Sequence, residues 1–278
     1  MNFKNIIITF SIMVLFLSCK TNPFTGNKTL ALISNDQLFP TAFAQYDAFL
    51  KEHKVVKSGA NAEMITRVGQ RIATAAERWL NANGYQGYLK DYKWEYNLVD
   101  DETVNAWCMP GGKIVFYTGI LPIAENETAI AAIMGHEVAH ALANHGQQRM
   151  STGMLQQLGA VGVGVATSGK NSEAQEAWMQ AYGVGSTVLG TLPFSRSHET
   201  QADEIGLTLM AVAGYNPEEA PELWKRMKAH GGGQAPPEFL STHPSSDTRI
   251  SNLQKWTPQA KAEAAKFGVT SFRPLGKY

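Results

Sequence analysis

The chain has 278 residues, of which 44% are apolar and 17% charged, so it can bury a sizeable core and is too apolar to remain unfolded. Lys and Arg total 24 and Asp and Glu total 24, giving a formal charge of zero and no global field to draw the chain to nucleic acid. Two cysteines, Cys19 and Cys108, are too few for a disulfide framework or a thiolate zinc site, so any metal must be held by His and carboxylate.

The N-terminus carries one cation, Lys4, and then an apolar run from Ile6 to Leu17. Those twelve residues are short of the roughly 20 that span a bilayer, so a secretory signal is expected over residues 1–18. Its end, Phe16-Leu17-Ser18-Cys19, resembles a bacterial lipoprotein signal, which implies lipidation of Cys19 and attachment to a membrane. Lys20-Thr21 lacks the aspartate that retains some lipoproteins at the inner membrane, which favours the outer membrane, facing the periplasm. Residues 19–33 read as a Pro/Gly/Asn tether and a short strand over Leu30–Ile33, and residues 34–278 as one catalytic domain.

Ser34 or Asn35 is placed to cap a helix towards His53. From Asn61 to Asn83, Met64, Ile65, Val68, Ile72, Ala76, Trp79 and Leu80 recur at helical spacing, with Gly84 beyond the end. A strand is expected over Lys93–Val99, then a hairpin of Val104–Met109 and Lys113–Thr118 about Pro110-Gly111-Gly112. A helix follows from Glu125 to about Arg149. The Gly/Ala/Val-rich stretch from Gly159 to Gly190 is interrupted by Lys170, Glu173 and Glu176, and reads as a mobile or hairpin-like insertion near the catalytic helices and not as a membrane span. Asn216-Pro217-Glu218-Glu219 starts another helix.

Within the Glu125–Arg149 helix lies His136-Glu137-Val138-Ala139-His140. Residues four apart share a helix face, so both imidazoles can converge on one ion while Glu137 faces the water to be activated. Zinc in a hydrolytic site takes three protein ligands, so a third is required. His145 is misplaced for the longer HExxHxxGxxH pattern, which needs Gly at 143 and His at 146 where this chain has Ala143 and Gly146. Glu199 is the better candidate: a helix through Ser195–Glu204 aligns it with Asp203, one carboxylate for the metal and one for a ligating imidazole's N–H.

HEVAH, then SRSHETQAD about sixty residues later, then Ser241-Thr242-His243-Pro244-Ser245-Ser246-Asp247-Thr248-Arg249, together resemble the HtpX and CAAX-prenyl-protease-like zinc metallopeptidases of gluzincin type. The stretch from Asn105 to Leu121 resembles the strand that precedes their metal helix. The resemblance implies an α+β, predominantly helical zincin-like domain with a small antiparallel sheet beside the metal helix. It implies one zinc per chain held by His136, His140 and Glu199, with Glu137 as catalytic acid/base. It also implies that His243 stabilises the tetrahedral intermediate, with Asp203 and Arg249 in support. The short length and lipoprotein-like start point to a small envelope lipoprotein branch. Cys108 and Met109 depart from the smaller aliphatic residues of many relatives, which bears on the substrate pocket and not on the metal.

The expected substrate is unfolded or extended polypeptide, added by backbone hydrogen bonds to an edge strand that includes Asn105, Ala106 and Trp107. This suits quality control of misfolded or unassembled envelope proteins, alongside envelope assembly machinery. The competing expectation is a chaperone-like or assembly factor with a closed zinc site, in which Ser151–Leu192 covers the cleft and His145, His198 or His230 takes the fourth zinc position. A zinc hydrolase of non-peptide amides leaves the edge strand without a role.

Overall fold

The computed structural model describes residues 19–186, 192–231 and 238–274. The apolar run of residues 6–17, and with it the expected signal, lies outside the described residues. Among those residues no helix is long and apolar enough to cross a membrane.

The chain divides into two compact units. The first combines the chain up to Leu38 with Asn144–His198. Strands β1 (Cys19–Thr21) and β2 (Lys28–Leu30) pair antiparallel, Cys19 opposite Leu30. The segment read as a tether is therefore a hairpin, closed by Asn22 N–H to the Asn27 carbonyl at 2.8 Å and Gly26 N–H to the Asn22 carbonyl at 2.9 Å. Helix α1 (Asn35–Glu52) starts in this unit with a reciprocal cap: Gln37 N–H reaches Ser34 Oγ at 3.3 Å, and Ser34 N–H reaches Gln37 Oε1 at 3.1 Å.

The second unit, Phe39–Ala143 with Glu199–Tyr278, contains the core. Helix α2 (Ala60–Ala82) buries Met64, Ile65, Val68, Ile72, Ala76 and Leu80 as its periodicity predicts, while Trp79 of the same set is only half-buried, its indole N–H donating to Glu263 Oε1 at 3.2 Å. Each large side chain there contributes about 1.5–3 kcal/mol on burial. Strands β3 (Val55–Val56), β4 (Glu95–Val99), β5 (Ala106–Met109) and β6 (Lys113–Tyr117) form one sheet in the order β3-β4-β6-β5. The sheet is mixed: β4 and β6 are parallel and the other two pairs antiparallel. After β4 the chain runs to the sheet edge as β5 and turns back into the centre as β6, which restores the direction of β4. That turn requires glycine twice. Gly111 and Gly112 have φ of 84° and 90°, and a Cβ at either would lie 2.5 Å from the Phe43 ring or 2.6 Å from the Trp94 ring.

A short helix α3 (Leu121–Ala124) precedes α4 (Glu127–Leu142), which is capped by Asn126 through Oδ1 to Ala129 N–H at 2.8 Å. Every residue from Thr128 to Leu142 is buried. The expected helix to Arg149 breaks here. Tyr92 and Tyr88 donate their hydroxyls to the carbonyls of Ala141 and Leu142, at 3.1 and 2.7 Å, and Asn144 turns left-handed at φ 56°. These side chains satisfy carbonyls that a continuing helix would have bonded. The segments that follow are α5 (His145–Thr167), α6 (Ser172–Ser186), α7 (Leu192–Val212), α8 (Glu219–His230), α9 (Glu238–Thr242) and α10 (Asp247–Lys266). α8 starts at Glu219, not at Asn216, whose Oδ1 instead accepts Glu218 N–H at 3.1 Å in the turn before it.

Candidate metal centre

All groups of the candidate site belong to the second unit. α4 supplies His136, Glu137 and His140, all nearly inaccessible. Such groups are costly inside an apolar helix bundle unless partnered. α7 crosses α4 at a pair of glycines: a Cβ on Gly135 would lie 2.7 Å from the Gly206 carbonyl oxygen, and one on Gly206 would lie 2.7 Å from the His136 nitrogen. This backbone approach brings Glu199 and Asp203, one helical turn apart on α7, against the two histidines.

Glu199 Oε1 is 3.2 Å from His140 Nε2, Glu199 Oε2 is 3.4 Å from His136 Nε2, and the two imidazole Nε2 atoms are 3.1 Å apart. Tetrahedral ligands at 2.0–2.1 Å from a zinc ion lie about 3.3 Å from one another, so these three separations are the ones such an ion sets. His243, just beyond α9, joins the group: its Nδ1 lies 2.9 Å from Glu199 Oε2 and 3.2 Å from His136 Nε2. Ligand atoms of His136, His140, Glu199 and His243 all fall within 4.8 Å of one another. His145, His198 and His230 are outside this group. His145 and His198 are buried and stack on each other, 4.0 Å between ring centres, in the first unit.

The surrounding charges orient the donors. Asp203 Oδ1 lies 3.0 Å from His136 Nδ1, the position that fixes the ring with Nε2 towards the other donors. Arg249, from the first turn of α10, grips Asp203 with two 2.6 Å bonds, from Nε to Oδ2 and from Nη2 to Oδ1. Its Nη1 is 3.3 Å from Glu199 Oε2, and its guanidinium stacks 3.4 Å over the Trp224 ring of α8. Trp224, Gly135 and Gly206 carry no local sequence signal for this site. A glycine on each of two helices that bear candidate ligands is the one hint available.

Burial opposes ionisation of Glu199, but hydrogen bonds from His136, His140 and His243 outweigh it and hold the carboxyl far below its usual range. Burial and Arg249 disfavour the charged form of His136, yet Asp203 and Glu199 prevail and raise it to about 9 in the metal-free chain. Burial pushes His140 well down. Burial also pushes the Glu137 carboxyl up, against the opposing influence of His243 and His136. Glu137 Oε1 is fully enclosed with no hydrogen-bond partner among the described residues, and His243 Nε2 lies 3.5 Å from it. A buried carboxylate oxygen facing a nitrogen and oxygen donor cluster suits a metal site that handles water. Two imidazoles and a carboxylate are also a donor set that zinc takes.

β5 is outermost in the sheet and packs on α4. Ala106 lies within it, and Asn105 precedes it with Oδ1 accepting Ala106 N–H at 2.9 Å. The Trp107 side chain packs into a cluster with Phe49 and Tyr46 and donates to the Tyr117 hydroxyl at 3.2 Å. Tyr117 N–H bonds the Asn105 carbonyl, and in this antiparallel register Trp107 also faces β6, so Ala106 and Cys108 turn their backbone groups to the open edge. Cys108 is a free, part-buried thiol, and burial pushes its pKa up.

Residues 61–257 match the model of peptidase family M48. The chain belongs to that family. As an M48 member it has zinc as its metal, and the four-residue group is placed to bind an ion. It is 37% identical over 177 residues to the mitochondrial metalloendopeptidase OMA1 of Schizosaccharomyces pombe, a match covering 63% of this chain and 50% of that protein. It is 28% identical over 258 residues to human OMA1, covering 88% of this chain and 47% of that protein. The beta-barrel assembly-enhancing protease of Escherichia coli is 26% identical over 192 residues, covering 65% of this chain and 39% of that protein. The chain thus spans about half the length, or less, of the curated relatives it matches.

Proposed function

We propose that the chain is a zinc-dependent endopeptidase of the bacterial cell envelope, acting on misfolded or unassembled proteins and anchored by a lipid on Cys19. The observation that carries the hydrolytic reading is Glu137: a buried carboxylate with an unpartnered oxygen, beside the donors His136, His140 and Glu199. When bound, zinc polarises a peptide carbonyl and lowers the pKa of water towards 7. His136, His140 and Glu199 hold it, and Asp203 and Arg249 fix His136 and Glu199 in place. Glu137, its pKa raised by burial, takes the proton of the attacking water and returns it to the leaving amide nitrogen. His243, with Nε2 towards Glu137, is the donor for the developing oxyanion. The β5 edge receives an extended substrate with little regard to its side chains.

Membership of M48 supports the peptidase assignment. Likeness to a beta-barrel assembly-enhancing protease supports a place beside envelope assembly machinery. The domain plan that accompanies this reading is a signal over residues 1–18, removed before Cys19, and a catalytic region from residue 34. The small-lipoprotein branch and the outer membrane as address rest on the Ser18-Cys19 and Lys20-Thr21 pattern.

One observation favours a second reading, a chaperone-like factor with a closed site: His243 Nδ1 is as close to the carboxylate of Glu199 as a shared ligand set demands. Zinc content and turnover of unfolded casein by the purified chain decide between them. The endopeptidase reading expects one zinc per chain and cleavage that chelation abolishes and zinc restores. A fully loaded chain that binds casein and leaves it intact would favour the closed site.

A further inference from the structure

Among the described residues, every large apolar side chain that is exposed lies between Met150 and Val184, on the helical hairpin of α5 and α6. Met150, Met154, Leu158, Val161 and Val165 follow one another at intervals of four, four, three and four residues, which places them in one stripe along α5. Leu158, Val161 and Val165 are 66%, 63% and 71% exposed, and Trp178 on α6 is 55% exposed. A Cβ at Gly153, Gly162 or Gly164 would meet nothing within 4 Å, so these glycines serve no close packing among the described residues. A contiguous apolar surface of this kind on a folded domain marks something that covers it.

We propose that a lipid bilayer covers it: the hairpin lies along the membrane surface with the α5 stripe in the interface. Three features select this occupant. The first is charge. Residues 150–169 contain no Asp, Glu, Lys or Arg and are bounded by Arg149 and Lys170, cations placed to meet headgroup phosphates at both ends. A seam with another protein helix normally carries flanking charges that set its register, and α5 has none along this length. The second is depth. α5 is not apolar enough to cross a bilayer, and Lys170, Glu173 and Glu176 at the turn keep that end out of hydrocarbon, so the hairpin lies along the surface and does not enter tip first. Trp178, about two helical turns into α6, is an exposed amphipathic ring of the kind that the interface favours.

The third is continuity with the tether, and here the inference rests on the reading of Cys19 as the anchored residue. Cys19 opens β1, β1 pairs with β2, and two residues past β2 the Leu32 N–H bonds Ser151 Oγ at 3.0 Å, beside Met150 at the start of the stripe. Gln147 one turn earlier donates to the Ile33 carbonyl. An anchor at Cys19 therefore holds the base of α5, within the same compact unit, at the membrane.

The test is tryptophan quenching in the full-length protein, floated with vesicles of phosphatidylethanolamine and phosphatidylglycerol that carry dibrominated acyl chains. The wild-type chain is expected to be quenched. Trp178→Phe should lose most of that quenching, and Leu158→Glu with Val165→Glu should float with the vesicles yet remain unquenched. Both charged substitutions are at exposed positions in the first unit, and an unchanged helical circular-dichroism signal will show that its fold survives. Quenching absent in the wild type, or unaltered in either variant, overturns the proposal. So does a lipid-free dimer that Leu158→Glu dissociates with Trp178 unquenched on vesicles, which would give the stripe to a second copy. Loss of flotation in Cys19→Ser reports on the anchor separately, because quenching in the wild type reads the stripe.

Discussion

Helices α4 and α5 are both poor in charge and rich in small residues, yet their surroundings are opposite. α4 is buried all round, and Gly135 lies against the backbone of Gly206. α5 exposes its apolar stripe, and a Cβ at Gly153, Gly162 or Gly164 would meet nothing within 4 Å among the described residues. Glycine costs a helix interior about 1 kcal/mol relative to alanine. In α4 that cost is offset by a close crossing that carries Glu199 and Asp203 to the histidines. In α5 Gly159, where a Cβ would lie 2.1 Å from the Tyr182 hydroxyl, has such an offset, whereas Gly153, Gly162 and Gly164 have none among the described residues. Similar composition therefore marks a site in one helix and a surface awaiting a partner in the other.

The comparison breaks most severely at the charges that the α4 crossing assembles. Asp203→Ala leaves Arg249 buried without its bidentate partner, and chemical denaturation should show a loss of about 3–5 kcal/mol. Gly206→Ala is next: its methyl meets the backbone of His136 and Gly135, which cannot swing aside, so a loss of about 1–3 kcal/mol is expected together with weakened zinc retention in dialysis against a chelator.

Proton competition gives the third effect. His136 has a folded-state pKa of about 9 against 6.5 unfolded, so its protonation stabilises the metal-free chain fully below 6.5 and ceases to do so as pH rises through 9. Zinc must displace that proton. Its apparent affinity should rise about tenfold per pH unit between 6.5 and 9 and flatten above, measurable by competition with a chromogenic chelator. A flat profile would show that Asp203 does not hold His136 charged. The smallest effect is at the other helix. Gly162→Ala fills open space and should stabilise the first unit by about 0.5–1 kcal/mol, seen as slower exchange of α5 amides.

Legibility in the sequence followed the range of the interaction. The buried face of α2 shows as a 3.6-residue period because one helix against one core is a local pattern. His136, Glu137 and His140 show because ligand spacing within a single helix is local too. The end of α4 does not show: Ala141-Leu142-Ala143-Asn144-His145 reads as helix, and what stops it is a pair of tyrosine hydroxyls some fifty residues earlier in the chain. Glu199 was reachable because Asp203 lies four residues on along the same helix, one carboxylate for the metal and one for an imidazole, whereas His243 was reachable only through resemblance to known peptidases. The Gly135–Gly206 crossing and the Trp224 stack exist only once three helices have packed.

The central claim is that His136, His140 and Glu199 hold the metal while Glu137, one residue from the first ligand, moves the proton. Glu137→Gln tests it most directly, with zinc per chain and casein turnover measured on the same preparation. The account predicts one zinc retained and turnover lowered by about 10²–10⁴-fold, the range of a lost general acid/base. Turnover kept within tenfold of wild type, or zinc lost together with activity, would contradict it.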